Sequence, residues 1–225
     1  MTPGLQDAVA TLAGVYAPPR PPSDPFQHIL WDNIGYLIDD QRRRRLFDIF
    51  AAEVGLDPLR IADADEALLM AIAAQGGMRP DVRVQRWRSI AALIDEYAQG
   101  DLDAALRGLP VAQARALLKR FPTIADPAAD KILLFAGIAP LPALESNGLR
   151  VLARLGLFRE AKGYPASYRA AIAVLTADGQ PGFAWLSGAF LVLREHGKAL
   201  CKRGEPHCGP CPLSDACPKV RVETL

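Results

Sequence analysis

All the cysteines of this chain lie in one short segment near its C-terminus. The segment, CKRGEPHCGPCPLSDAC, holds Cys201, Cys208, Cys211 and Cys217, separated by gaps of six, two and five residues. Glycines and prolines between them permit sharp turns; these are Gly204, Pro206, Gly209, Pro210 and Pro212. The segment can therefore wrap its four thiols around a common centre, and the rest of the fold has to support that loop.

Three kinds of sulfur chemistry suit such a loop. Disulfides are disfavoured because the N-terminal stretch lacks the basic start of a signal peptide and Asp7 interrupts its apolar run, so we expect reducing, cytoplasmic surroundings. A structural zinc ion usually takes two closely spaced cysteine pairs, and only Cys208 and Cys211 form one. An iron–sulfur cluster also takes four thiolates, and one loop with uneven gaps can supply them. Zinc and the cluster both stay open on these grounds.

Net charge limits how the chain could bind nucleic acid. With 26 basic and 25 acidic residues the formal charge is +1, so binding would depend on local patches. Two candidate patches are the run QRRRR at 41–45 and the arginines at 79, 83, 86 and 88. Each run, taken alone, is interpreted as a solvated helix face. No apolar run approaches the roughly 18 residues of a membrane span, and we expect no membrane association.

Apolar residues recur at helical spacing through most of the chain, as in Leu5, Val9 and Leu12 and in the face that runs from Phe26 to Ile38. Alternating strand patterns are scarce, which predicts an all-α fold. Helix-breaking stretches mark the ends of the predicted helices: VGLDP (54–58), QGGMRP (75–80), GLP (108–110), FPTIADP (121–127) and GIAPLP (137–142).

The cysteine spacing C-x6-C-x2-C-x5-C resembles the [4Fe–4S] loop of the endonuclease III family of DNA glycosylases. His196 and Gly197 precede the first cysteine at the family's spacing, and CGPCPL resembles its second turn. The resemblance implies a structural [4Fe–4S] cluster bound by the four cysteines. It also implies that Lys202 and Arg203, inside the first gap, approach DNA phosphates.

The same family carries a helix–hairpin–helix upstream, and residues 114–137, ARALLKRFPTIADPAADKILLFAG, resemble it. Hairpins of this type bind a DNA phosphate through main-chain N–H groups. The family's Leu-Pro-Gly-Val-Gly is here Phe-Pro-Thr-Ile-Ala, so Thr123 and Ala125 replace both glycines and imply a strained or weaker grip. Lys119 and Arg120 are expected to hold phosphates beside it. Asp126 is predicted to cap the second helix and Pro127 to open it.

The resemblance also places the catalytic positions. Pro127 stands where bifunctional members carry the lysine that attacks the sugar, so lyase chemistry is not expected, and Lys131 lies one turn too far to replace it. ESNGLRVLAR resembles the adenine-glycosylase branch, with Glu145 at the position of the catalytic aspartate and Asn147 at that of the branch's asparagine. Glu145 would stabilise an oxocarbenium-like sugar or activate water. The alternative is that it only caps the following helix.

Residues 24–40 resemble the family segment that fills the gap left by an extruded base. The family's glutamine falls at Leu37, which can act as an apolar wedge, and Tyr36 could stack on a base. Neither tells us which base would be excised.

Together these features predict an all-α, two-domain helix–hairpin–helix glycosylase fold with a C-terminal cluster loop. Residues 25–140 would form a helical barrel domain, and residues 1–24 with 141–225 the cluster domain. The expected function is a monofunctional glycosylase, acting as a monomer on double-stranded DNA that holds a damaged or mismatched base. The alternatives are a catalytically inactive iron–sulfur DNA-binding protein on the same fold, and a zinc-stapled interaction module.

Overall fold

A computed structural model describes residues 4–177, 179 and 181–221. Over these residues the chain forms twelve helices and no strand, which confirms the all-α prediction. No helix among them is long and apolar enough to span a bilayer. The helices are α1 (Leu5–Ala13), α2 (Pro25–Asn33), α3 (Asp40–Glu53), α4 (Pro58–Asp63), α5 (Glu66–Ala74), α6 (Pro80–Ala98), α7 (Leu102–Arg107), α8 (Val111–Leu118), α9 (Asp126–Phe135), α10 (Ser146–Arg154), α11 (Tyr164–Leu175) and α12 (Phe183–Ala199).

The chain divides into two compact units. A central unit comprises Pro21–Ala139, and a terminal unit combines Met1–Arg20 with Pro140–Leu225. The central unit holds α2 to α9, and the terminal unit holds α1 and α10 to α12.

Aspartates define where most helices of the central unit begin. The Asp24 and Asp39 carboxylates accept hydrogen bonds from the N–H groups of Gln27 and Arg42, at 2.8 and 2.7 Å. Asp57, Asp65 and Asp101 cap α4, α5 and α7 in the same way. Each cap satisfies an N–H group that the helix itself leaves unpaired, and each contributes about 1 kcal/mol. Each of the five predicted helix-breaking stretches contains a break between two helices, and three of them end in the first residues of the next helix: Pro58, Pro80 and Asp126–Pro127.

The core of the central unit is built on α6, whose Trp87 is fully buried against Phe50 at 4.8 Å between ring centroids. The basic run on α3 is only partly a solvated face. Arg43 donates to the main-chain oxygen of Trp31 at 2.9 Å, and the guanidinium of Arg44 lies 4.6 Å from the centre of the Trp31 ring. Arg83 is also buried, so neither arginine group is simply a patch of free cations.

The predicted helical face from Phe26 to Ile38 is too long. The helix ends at Asn33, because the chain turns at 34–39 and Leu37 takes a left-handed conformation with φ 54°. Tyr36 and Leu37 therefore lie on an exposed turn, whereas Phe26 and Trp31 are buried as core residues of α2.

A polar cluster of one buried and two partly buried side chains lies between α2 and α9. Lys131 donates to both carboxylate oxygens of Asp32 at 2.6 and 2.8 Å, and His28, fully buried, meets the Phe135 ring edge-on. Burial, and next the charge of Lys131, lower the pKa of His28 from 6.5 to about 3. The charge of Asp32, and after it the Pro22 carbonyl, act on the pKa in the opposite sense, and neither ring nitrogen has a hydrogen bond of usual geometry.

His28 should make the fold sensitive to mild acid. Because its pKa falls from 6.5 in the unfolded chain to about 3 in the fold, protonation favours unfolding between these values. We expect His28 alone to lower the free energy of unfolding by about 2 kcal/mol between neutral pH and about pH 5. His28→Leu should reduce the pH-dependent loss of the wild type by about that amount, as measured by urea titrations at both pH values. An equal loss in wild type and variant would contradict this origin.

The core of the terminal unit is formed by α1, α10, α11 and α12. Leu12, Leu152 and Leu193 are fully buried in it. Gly197 permits the close approach of α12 to α10, because a Cβ there would lie 2.7 Å from the Asn147 main-chain oxygen. This packing brings the start of α10 and the end of α12 together, where the candidate site lies.

Candidate functional site

The four cysteines line a single cavity in the terminal unit, together with residues of α10 and α12 such as Val151, Arg154 and His196. Leu213, which lies between Cys211 and Cys217 in the sequence, is buried and anchors the loop in the core. In the described part of the chain, no three Cys, His, Asp or Glu side chains converge as the ligands of one metal ion would. The four cysteines thus border one cavity without converging on a single point.

Hydrogen bonds to sulfur surround this cavity. The N–H groups of Leu213 and Lys219 point at the sulfurs of Cys211 and Cys217, each at 3.4 Å, and Arg154 Nη1 lies 3.4 Å from Cys201 Sγ. Such donors stabilise the thiolate form of cysteine, which is the form that binds metals.

The cysteine set fits an iron–sulfur cluster. Burial raises the pKa of the Cys211 and Cys217 thiols, and the other cysteines add to this for both. Four thiolates that line one cavity would need a cationic centre. A zinc ion takes its ligands at one point and a cluster of several iron atoms takes them around a larger object, so cysteines that surround a cavity can serve as ligands of a cluster.

Behind Cys211 lies a buried histidine. His196, 2% exposed, places Nε2 3.7 Å from Cys211 Sγ, and its Nδ1 is 3.1 Å from the hydroxyl of Tyr16. Burial lowers the pKa of His196 to about 4, so the ring is neutral near pH 7.

Glu145 caps α10 with its side chain. Its Oε1 accepts hydrogen bonds from the N–H groups of Asn147 and Gly148 at 2.8 and 3.0 Å. Its Oε2 accepts from Asn147 Nδ2 at 2.7 Å. A carboxylate offers about four acceptor positions, so one position, on Oε2, stays open. The three hydrogen bonds thus fix the orientation of this partly exposed carboxylate.

A hydrogen-bonded chain links Glu145 to the cysteine loop. Arg150 donates to Asn147 Oδ1 at 2.7 Å, and to the main-chain oxygens of Gly197 and Cys201, both at 2.8 Å. The Asn147 side chain therefore donates to Glu145 and accepts from Arg150, which leaves it one orientation.

In the central unit, the hairpin keeps a left-handed turn without glycine. Thr123 has φ 68°, a conformation that costs a non-glycine residue about 1–2 kcal/mol. Its hydroxyl donates to Oδ1 of the buried Asn33 at 3.1 Å. Asn33 Nδ2 in turn donates to the main-chain oxygens of Pro122 and Ile29, at 3.3 and 3.0 Å. Asn33 thus holds the turn in the shape that a glycine would adopt unaided.

We expect different effects from two substitutions of Thr123. Thr123→Gly relieves the positive φ but also removes the hydroxyl that bonds to Asn33, so it should change the free energy of unfolding little. Thr123→Val keeps the size but loses the hydroxyl, and should lower the free energy by about 1–2 kcal/mol. Urea unfolding of the two variants tests this, and a valine variant as stable as wild type would remove the role given to Asn33.

The basic residues near the hairpin have partners within the central unit. Lys119 Nζ lies 2.8 Å from the Asp126 carboxylate and lowers its pKa by a hydrogen bond. Arg120 donates to the Tyr97 hydroxyl at 2.8 Å, with its guanidinium 4.7 Å from that ring's centre. The prediction that Asp126 caps α9 is wrong: Ala125 is the cap residue and offers no side-chain acceptor. Asp126 lies in the first turn and faces Lys119 instead.

Pro127 also lies in the first turn of α9, and Lys131 is bound to Asp32 as described above. Lys202 and Arg203 are exposed on the cysteine loop, and their main-chain oxygens accept from Arg154 at 2.6 and 3.2 Å. Their side chains are thus presented on a loop whose main chain is anchored.

Two paired turns of the central unit expose apolar side chains. Tyr36 N–H donates to the Gly76 oxygen at 2.8 Å, and a Cβ on Gly77 would lie 2.5 Å from the Tyr36 oxygen, so the pair needs that glycine. Leu37 and Met78 are 83% and 68% exposed. Sequence reasoning missed Met78, although the QGGMRP turn around it was visible.

A cavity of about 500 Å³ adjoins these turns. Its lining is Asp32, Asn33, Gly35, Tyr36, Met78, Arg79, Val82, Arg83, Arg86 and Thr123. The turns and the hairpin thus share one recess in the central unit.

Comparison with solved structures identifies the fold. The chain superposes on a thermostable thymine-DNA glycosylase with a TM-score of 0.74 and 14% identity, over 96% of this chain and 95% of that one. It superposes on a trapped endonuclease III–DNA covalent intermediate with a TM-score of 0.72 and 16% identity, over 96% of this chain and 92% of that one. It also superposes on a non-covalent endonuclease III–DNA complex with a TM-score of 0.74 and 16% identity, over 96% of this chain and 94% of that one. No family model matches the chain, and no curated relative is found by sequence. The predicted endonuclease III-like fold is confirmed.

Proposed function

We propose that this chain is a DNA N-glycosylase of base-excision repair, which hydrolyses the bond between a damaged or mispaired base and its sugar in duplex DNA. The observation that carries the proposal is the Glu145 carboxylate. It is fixed by three hydrogen bonds and keeps an open acceptor position on Oε2. The fold, shared with solved DNA glycosylases, supports the same assignment.

The main requirement of the reaction is a negatively charged group close to the sugar. As the base departs with the bonding electrons, the sugar becomes an oxocarbenium-like cation, which Oε2 of Glu145 would stabilise. The same atom would accept a proton from the water that adds to the sugar carbon. Glutamate is one methylene longer than the family's aspartate, and the cap offsets the added freedom by fixing the side chain. Asn147 would act as a positioning residue.

Duplex DNA would be held by sequence-independent contacts. The hairpin main chain at Thr123 and Ala125 would bind one phosphate, with Lys202 and Arg203 supplying further contacts. Lys119 and Arg120 would join them only by leaving Asp126 and Tyr97. Tyr36 and Leu37, now with Met78, would occupy the gap beside an extruded base.

The four cysteines would hold a [4Fe–4S] cluster. When bound, the group would supply a structural cross-link and no step of the reaction. It would fix the loop that carries Lys202 and Arg203. It would also fix the position of the Cys201 main-chain oxygen, which accepts a hydrogen bond from Arg150.

The enzyme should be monofunctional. Pro127 has no nucleophilic nitrogen, and Nζ of Lys131 donates hydrogen bonds to both carboxylate oxygens of Asp32, which engage it within the fold. We therefore expect borohydride to trap no covalent complex between the protein and DNA that it processes. A trapped complex that is lost in Lys131→Arg, which keeps the charge beside Asp32, would contradict this and make Lys131 the nucleophile.

A screen on duplex oligonucleotides tests the proposal. The duplexes would carry uracil, hypoxanthine, alkylated purines, oxidised pyrimidines, or adenine opposite 8-oxoguanine, each read with and without hot alkali. Cleavage that requires alkali is the expected result and would name the base. Strand nicking without alkali would contradict the monofunctional assignment.

A second candidate is a DNA-binding protein without catalysis. The capping role of Glu145 favours it, because both oxygens are already engaged in the fold. Duplex binding with no base release from any of the substrates would establish this alternative.

A further inference from the structure

His196 is a buried histidine with a polar partner on each ring nitrogen. Nε2 faces Cys211 Sγ at 3.7 Å and Nδ1 faces the Tyr16 hydroxyl at 3.1 Å. The Tyr16 and His196 rings lie 5.8 Å apart at 54° and are tilted rather than stacked. Geometry therefore favours a hydrogen bond over ring stacking as the link between them.

The chemistry of the three groups fixes the direction of both bonds. A thiolate that binds iron can only accept, so Nε2 of His196 has to carry the hydrogen that points at Cys211. In a neutral ring Nδ1 is then an acceptor, and the Tyr16 hydroxyl has to donate to it. Tyr16 thus selects the tautomer that donates to sulfur.

We propose that Tyr16 and His196 are a positioning pair for the iron–sulfur cluster, in which the Tyr16 hydroxyl orients His196 to donate a hydrogen bond to the Cys211 ligand. The inference rests on the cluster assigned above. Donors to a ligand sulfur set how firmly a cluster is held and how readily it changes redox state. Cys211 receives one such bond from Leu213 N–H, at 3.4 Å, and would receive a second from His196.

The pair also ties the start of the chain to the cysteine loop. Tyr16 follows α1, whose Leu5, Val9 and Leu12 pack into the core of the terminal unit. His196 lies in the last turn of α12, five residues before Cys201. The N-terminal helix would therefore act on the cluster through one hydroxyl group, in addition to its packing.

Tyr16→Phe tests the proposal because it removes the hydroxyl and keeps the ring. The readout is the rate at which purified, cluster-loaded protein loses its visible absorbance in air-saturated buffer with a chelator. Loss of an outer hydrogen-bond partner should make the decay about 10-fold faster. Tyr164→Phe, which removes the hydroxyl of a half-exposed tyrosine in the same unit, should decay like wild type. Equal rates for Tyr16→Phe and wild type would overturn the proposal.

A second variant separates hydrogen bonding from packing. The amide of His196→Gln can reach the position of Nε2 and donate to Cys211 without help from Tyr16. Adding Tyr16→Phe to it should therefore change the decay little. Independent, multiplicative effects of the two substitutions would show that Tyr16 does not act through the ring, and would overturn the proposal.

These results can be told apart from failure of the proposed function. Wild-type protein that holds zinc and no visible absorbance would end the cluster assignment, and this inference with it. Base release is scored on the same preparations, so a cluster protein without glycosylase activity would leave the Tyr16–His196 pair standing.

Discussion

Glu145→Gln should abolish base release while duplex binding persists. Glutamine is nearly isosteric with glutamate but carries no charge to offset the sugar cation and accepts no proton from water. The expected loss in the single-turnover excision rate is at least about 100-fold. The rate would be measured on whichever duplex the screen identifies, with affinity measured separately on the same duplex.

Two further variants decide whether the loss is chemical. Glu96→Gln, at an exposed position on α6, should excise at the wild-type rate. Glu145→Asp keeps the charge but moves it by the length of about one methylene. Its excision rate should fall about 100-fold, because a displacement of about 1 Å has an effect of that order.

The stability of the Glu145→Gln variant tests the alternative, in which Glu145 is only a helix cap. Glu145→Gln replaces a charged acceptor of the Asn147 and Gly148 N–H groups by a neutral one, so some loss of the free energy of unfolding is expected. If that loss occurs and excision continues undiminished, Glu145 is only a cap and the catalytic assignment fails.

Patterns local in sequence predicted the fold well. The helical spacing and the five breaks depend on neighbouring residues, and the structure has helices and turns there. The two local errors share a cause, because in each a contact with another segment outweighs the propensity of the local sequence. The apolar spacing continues beyond Asn33 to Ile38, but Leu37 takes a positive φ, and the turn instead pairs Tyr36 with Gly76. Asp126 is a good cap by propensity, but its charge is drawn to Lys119 on the neighbouring segment.

What sequence reasoning could not find are partners distant along the chain. Asn33 supports Thr123 from 90 residues away, and Tyr16 meets His196 across 180. Neither has a motif of its own, because a single hydrogen bond between distant segments leaves no pattern in either of them. Asn147 was predicted from a resemblance, but its bond to Arg150 follows from the i, i+3 spacing on α10 and could have been anticipated.

Arg150→Met should weaken both the fold and the chemistry of the terminal unit. Methionine preserves the apolar stem of arginine but leaves the acceptors on Asn147 and Gly197 without their donor, whereas the Cys201 oxygen keeps a hydrogen bond from Arg154 at 3.2 Å. At about 1–3 kcal/mol for each group left unpaired, and with some rescue by water at this partly buried site, we expect the free energy of unfolding to fall by about 2 kcal/mol. Urea titration of the loaded protein measures it.

The catalytic effect should exceed what lost stability explains. Without Arg150 the Asn147 amide can rotate, and Glu145 Oε2 loses the donor that orients it. The excision rate should fall about 10- to 100-fold even at temperatures where the variant is fully folded. Arg150→Lys keeps the charge but not the forked geometry, and its excision rate should lie between those of the wild type and Arg150→Met. Arg159→Met, which removes an exposed arginine of the same unit, serves as the matched control.

The two readouts separate the possible roles of Arg150. A fall in both stability and excision is expected if the chain from Cys201 through Arg150 and Asn147 holds Glu145 in place. A fall in stability with unchanged excision would mean that Arg150 only joins α10 to the cysteine loop, and that the cap alone suffices to orient Glu145. Since Asn147 accepts from Arg150 and donates to Glu145 through one amide group, the structure favours the first outcome.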